Sequence, residues 1–141
     1  MHRRTLLAVL LLAPKQVRAH SATFGAIAIG HAWALPARSG DGQVFFPLVN
    51  NGRTPEALIA ARSSVCTLIE LRRNNRYDDP PLEAIPLEPG RPVPMRPTAR
   101  HLRLIGLDRP LVKTDRFTVI VDFQNAGETE IEVIVEEKPG D

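Results

Sequence analysis

Hydrophobic and polar positions alternate most clearly near the C-terminal end of the chain. Phe117, Val119, Val121 and Phe123 alternate with Thr118, Ile120 and Asp122. After Asn125-Ala126-Gly127, residues Thr129, Ile131, Val133 and Val135 alternate with Glu130, Glu132, Ile134 and Glu136. A period of two sends each set to one face of a strand. The pattern predicts an antiparallel hairpin turning at 125–127, with the glutamates largely in water. Helical spacing would scatter the same glutamates around the axis.

The earlier segments predict more short strands at 25–33, 43–49, 57–61, 64–71, 82–87 and 100–105. Turn-forming residues separate them: Asn50-Asn51-Gly52, Asp79-Pro80-Pro81, Glu88-Pro89-Gly90 and Gly106. Seven to nine strands at this spacing predict an all-β antiparallel sandwich or barrel. The 141 residues suit one domain. Thirteen prolines spread along the chain exclude a long-helix protein, and one cysteine excludes a disulfide scaffold. Cys66 falls in a strand-like run, where a buried and inert thiol is expected.

Charge needs the N-terminus to be understood. Arg3 and Arg4 precede the eight-residue apolar run Leu6 to Ala13, and the small residues Val17 and Ala19 follow. That order predicts an export signal over 1–19 and a single domain over 20–141. The apolar run is well short of the roughly 20 residues a membrane-spanning helix needs, so no membrane span is expected in the mature chain. The whole sequence carries a formal charge of +2. Removing 1–19 takes away Arg3, Arg4, Lys15 and Arg18 and no acidic residue, leaving 14 basic against 16 acidic residues and a charge of −2. A mildly acidic exported protein is a poor fit to nucleic acid. No nucleophile–base motif, phosphate loop or His-flanked carboxylate pair is apparent, so no enzymatic activity is expected.

Several segments together resemble one family. These are His31-Ala32-Trp33-Ala34, GQVFFPLVNNG from Gly42, SSVCTLIEL from Ser63, LEPGRPVPMRPTARHLRLIGLDRPLVKTD from Leu87, and the final hairpin. They are similar to the corresponding motifs of the periplasmic copper chaperones called PCu(A)C, over about residues 23–136. HLRLIGLDRPL is the strongest match. The resemblance implies a cupredoxin-like β-sandwich or Greek-key barrel. It also implies a periplasmic role in carrying Cu(I) toward cytochrome oxidase, with an oxidase assembly protein or another periplasmic protein as partner.

The same resemblance exposes a departure. Family members hold copper with methionine thioethers and histidine, and soft sulfur selects Cu(I). Here the strand methionine aligns with Phe46, and the His-x-Met pair after "V-E-L" aligns with Arg72 and Asn74. An earlier His or Met would fall near Leu35 to Arg38, where neither occurs. The motif "H-L-M" becomes His101-Leu102-Arg103. Apart from Met1, Met95 is the only methionine. A methionine-based Cu(I) site is therefore not expected.

Two candidate chemistries are left. His101 is either a metal ligand or a strand histidine with a local hydrogen bond. His20 would become the N-terminal residue after cleavage, where its amine and imidazole could chelate copper. With His101 it could make a nitrogen site suited to Cu(II). Alternatively, Arg72 and Arg103 stand where ligands would be, with Arg73, Arg76, Arg96 and Arg100 nearby. They form either a solvated loop face or a convergent surface that grips carboxylate or phosphate. His31 and Trp33 read as structural, the Trp as a core anchor.

Overall fold

The computed structural model describes residues 22–137, which form strands and loops without a helix. The segment 1–19 and His20 lie outside the described residues. Eleven strands are present among those described: β1 Ala22–Phe24, β2 Ile27–Ile29, β3 Trp33–Ala34, β4 Gly42–Phe45, β5 Leu48–Asn50, β6 Glu56–Arg62, β7 Cys66–Arg72, β8 Ile85–Leu87, β9 His101–Leu107, β10 Arg116–Phe123 and β11 Gly127–Val135.

The C-terminal hairpin forms as the alternation predicts. Its register pairs Phe117 with Val133 and Phe123 with Gly127. Phe117, Val119, Val121, Phe123, Ile131, Val133 and Val135 are buried, whereas Glu130 and Glu132 are exposed. The turn carries a support that the alternation does not reveal. Glu56 Oε1 accepts from Asn125 N at 2.9 Å, and its Oε2 accepts from Ala126 N at 2.9 Å. Partial burial pushes the Glu56 carboxyl upward, but these backbone bonds outweigh it and hold the pKa below the ordinary value.

Two expected strands are each cut in two. The run 25–33 divides into β2 and β3, and the run 43–49 into β4 and β5. Both breaks occur where Gly30 meets Pro47: Gly30 N donates to Pro47 O at 2.9 Å. Pro47 has no N–H to continue a ladder. A Cβ on Gly30 would collide with the Pro47 ring, so only glycine permits the approach. The break lets one stretch of chain serve two sheets. β1-β2-β5 form a small sheet, and β7-β9-β4-β3-β11-β10-β6-β8 form a large one. The expected end at Gly106 is also revised, since β9 continues to pair Leu107 with Cys66. One pairing, β3 with β11, is parallel.

The large sheet curls until its two ends approach. β6 and β7, joined through Ser63–Val65, contact each other and nearly close a barrel. Its interior is a single core running from Ile27 and Val44 through Leu58, Leu102 and Leu104 to Val121 and Val133. Trp33 is buried but is not the core anchor expected of it: it pairs with Phe45, their rings 4.4 Å apart, on the face opposite the core residues Ala34 and Val44. Cys66 is only partly buried; burial nevertheless raises its thiol pKa, keeping it in the unreactive protonated form. Asn50, read above as part of a turn, is 2% exposed and fully used: its Nδ2 donates to Thr54 O and Leu87 O, and its Oδ1 accepts from Gly52 N.

Gly30→Ala is expected to lower stability by about 1–3 kcal/mol, the usual cost of overpacking a tight contact. Urea unfolding of the two proteins measures it, and an unchanged midpoint would show that Pro47 can move aside.

Candidate functional site

The antiparallel register of β7 and β9 places Arg72 opposite His101 and Glu70 opposite Arg103. β4 adds Gln43 beside Arg103. Leu71, Leu102 and Val44 alternate with these residues and face the core. The polar members therefore share the outer face of three adjacent strands. The loops that precede β9 and follow β7 fold over that face, so His101 and Arg72 are 0% and 2% exposed.

Every polar atom of the His101 ring is occupied. Nδ1 lies 2.8 Å from Ala99 O, and a carbonyl only accepts, so Nδ1 carries the proton. Nε2 is then the acceptor. Tyr77 Oη donates to it at 2.8 Å, and Gln43 Nε2 lies 3.2 Å away. Gln43 donates to Tyr77 Oη and to Pro97 O, both at 3.1 Å, which ties the two covering loops together. Burial pushes the imidazole pKa down; the Ala99 bond opposes this, and the positive charges of Arg72 and Arg103 add to the lowering. His101 is thus a neutral hydrogen-bond hub.

The two arginines are committed to internal partners. Arg72 Nη2 donates to Arg76 O at 2.9 Å and to Asp79 O at 2.8 Å, closing the loop after β7. Its Nη1 donates to Glu70 Oε1 at 3.2 Å. Arg103 Nε donates to Asp41 Oδ2 at 2.9 Å, and its Nη1 reaches Glu70 Oε1 at 3.4 Å. Both guanidiniums lie against the Tyr77 ring, with Arg103 Cζ 4.0 Å and Arg72 Cζ 5.1 Å from its centroid. A groove of about 350 Å³ opens beside this cluster, lined by Leu35, Pro36, Ala37, Gln43 and Tyr77 among others.

The structure therefore brings together four of the positions that the family resemblance singles out: His101, Arg72, Arg103 and the Leu35 region. It does not place Phe46 with them. Phe46 is 0% exposed within the core, and it is the neighbouring Phe45 ring that lies 6.0 Å from His101. Asn74 instead caps its own loop, its Oδ1 accepting from Arg76 N at 2.9 Å. Neither fully solvated nor free to grip a ligand, Arg72 departs from both expectations stated for it. His31 lies apart from this cluster, its Nε2 3.1 Å from Glu136 Oε2. His20 lies outside the described residues. Tyr77, Gln43, Asp41 and Glu70 were not anticipated. The available signal was Tyr77 itself, the single aromatic residue in the polar run RRNNRYDDPP, because a large ring in such a loop needs a surface to cover.

These residues do not fit copper. No thioether joins the cluster, the one imidazole lone pair already accepts a hydrogen bond from Tyr77, and two guanidiniums oppose a cation. Among the described residues, no three His, Cys, Asp or Glu side chains gather as a metal site.

The sequence matches, over residues 27–135, the LpqE-like family, described as "Putative lipoprotein LpqE-like". No curated protein matches the chain. Several solved structures share its fold. The copper-bound PCuAC domain from PmoF2 is 24% identical with a TM-score of 0.76, covering 84% of this chain and 99% of that one. The apo PCuAC domain from PmoF1 is 19% identical with a TM-score of 0.75, covering 84% and 100%. CuI-DR1885 from Deinococcus radiodurans is 16% identical with a TM-score of 0.61, covering 76% and 77%. The expected cupredoxin-like β-sandwich is thus the fold observed.

Two outcomes follow from the cluster. Arg72→Leu should cost about 3 kcal/mol in urea unfolding, because it strands Asp79 O and Arg76 O and removes a buried charge from Glu70. A loss below about 1 kcal/mol would contradict that role. The second concerns acid. The folded pKa of His101 lies below its unfolded value, so the unfolded chain takes up the proton first as pH falls. Stability from this residue is complete above the ordinary imidazole value and declines below it. Comparing unfolding midpoints at neutral and mildly acidic pH, His101→Gln should show a smaller acid loss than the parent; an equal loss would count against a neutral buried imidazole.

Proposed function

Taking as premise that the chain belongs to the LpqE-like family, we propose that it is an exported, non-catalytic binding domain. In this reading it keeps the copper-chaperone fold and has converted the metal-carrying end into a closed polar cluster that supports a partner surface. Residues 1–19 serve as the export signal and 20–141 as the one mature domain. The periplasm, or the equivalent space outside the inner membrane, is where such a protein would act. A partner protein there, including one engaged in oxidase assembly, is the natural target of a module that carries no catalytic group. Among the described residues no helix is long and apolar enough to cross a membrane.

The observation that carries this reading is His101 Nε2. A copper ligand must offer a free lone pair, and this one accepts from Tyr77. Displacing that bond would require uncovering a side chain that is 0% exposed and bringing a cation beside Arg72 and Arg103.

A second reading keeps copper as cargo. It is favoured by the likeness to the copper-bound PmoF2 domain and to CuI-DR1885. It would use nitrogen ligands, His20 with its amine and His101, in place of sulfur. One experiment separates the two readings. Cu(I) and Cu(II) are titrated in competition with chelators into the chain beginning at His20, alongside His20→Ala and His101→Gln. The first reading predicts no sub-micromolar site that depends on His101. Tight copper binding lost in either variant would replace it with the second.

A further inference from the structure

Beyond buried Arg72 and half-buried Arg103, four arginines rim the same end of the barrel. Arg73, Arg76, Arg96 and Arg100 are all exposed. None takes part in an ion pair among the described residues, whereas Arg62, Arg72, Arg103, Arg109 and Arg116 all do. Segments 72–79 and 96–100 together hold five arginines against two aspartates, although the mature chain as a whole is acidic.

Their positions are tied to the cluster below. Arg73 follows Arg72 and Arg100 precedes His101, and the Arg72–His101 pairing is the last of the β7–β9 ladder, so both arginines leave the sheet at the same end. Arg76 O is held by Arg72 Nη2, and Arg96 N donates to Arg100 O at 3.0 Å. Gln43 and Tyr77 lock the two loops against each other. Four like charges on a braced backbone repel one another and relieve that repulsion when an anion binds. A braced surface also loses little conformational freedom on binding.

We propose that this arginine rim is the docking surface for an acidic polypeptide segment of a partner protein. The inference rests on the binding-domain reading above and supplies the chemistry of the partner. Guanidinium forks match carboxylates in bidentate geometry, which a lysine surface would not do. A phospholipid surface fits less well. Among the described residues the exposed large apolar side chains are Ile59, Leu68 and Val112, and none lies on either loop, so the rim has no group to insert among acyl chains. The adjoining groove of about 350 Å³ has apolar walls at Leu35, Pro36 and Ala37 and can take a side chain flanking the acidic residues.

The test measures binding of a fluorescent Glu-rich decapeptide by anisotropy, and of phosphatidylglycerol-containing vesicles by co-sedimentation, using the purified chain. Arg73→Gln/Arg100→Gln is compared with Arg53→Gln/Arg109→Gln, which removes the same charge from exposed sites elsewhere. The rim pair should weaken peptide binding about tenfold or more, the other pair much less, and high salt should weaken binding by the parent. Absent peptide binding, equal loss in both pairs, or binding to vesicles without binding to peptide would each overturn the proposal. The copper titration reports separately on the underlying reading: a His101-dependent copper site would defeat that reading whatever the peptide does.

Discussion

The hydrogen bond from Tyr77 Oη to His101 Nε2 organises this end of the molecule. It exists because Ala99 O fixes the opposite ring nitrogen as the donor, leaving one lone pair to be filled from the loop after β7. Filling it carries the Tyr77 ring over the sheet, against Arg103 and Arg72. The guanidiniums in turn hold Glu70, Asp41 and the carbonyls of the covering loop. A network bonded this densely is rigid, and removing a member leaves buried polar groups unpaired. Arg72 Nε is the exception: it is buried and makes no hydrogen bond, so the burial of this arginine is not optimised at every atom.

The fold and the cluster place different demands on the sequence. The barrel needs alternating apolar residues and tolerates a wide choice among them, which is why domains only 16–24% identical superpose on it. The outer face of β7, β9 and β4 lies outside the core, so its residues can change without loss of the fold. That separation lets a scaffold shared with copper-bound domains carry arginine, tyrosine and glutamine where a soft-metal site would need sulfur.

Much of the architecture was legible because strand alternation is a local property. The β10–β11 hairpin needed only its own residues to be read. The breaks at Gly30 and Pro47 were not legible, since each depends on the other residue approaching from 17 positions away in the sequence. The continuation of β9 through Gly106 likewise depends on its partner Cys66. At the site, family resemblance picked out His101, Arg72 and Arg103, and the register of β7 and β9 sets them on one face. The resemblance could not show that Arg72 is buried, because burial of its guanidinium depends on carbonyls supplied by a loop whose path the pattern leaves open. Phe46 shows the opposite limit: an aligned position can point into the core while its neighbour Phe45 faces the site.

The central claim is that His101 is a neutral imidazole with its proton on Nδ1 and its Nε2 closed to metal. Two-bond ¹H–¹⁵N correlation spectra of the histidine side chains at neutral pH, before and after one equivalent of Cu(I), test it most directly. Nδ1 should be protonated and Nε2 unprotonated and hydrogen-bonded, with neither moved by copper. A shifted or broadened His101 Nε2 signal on adding copper would contradict it.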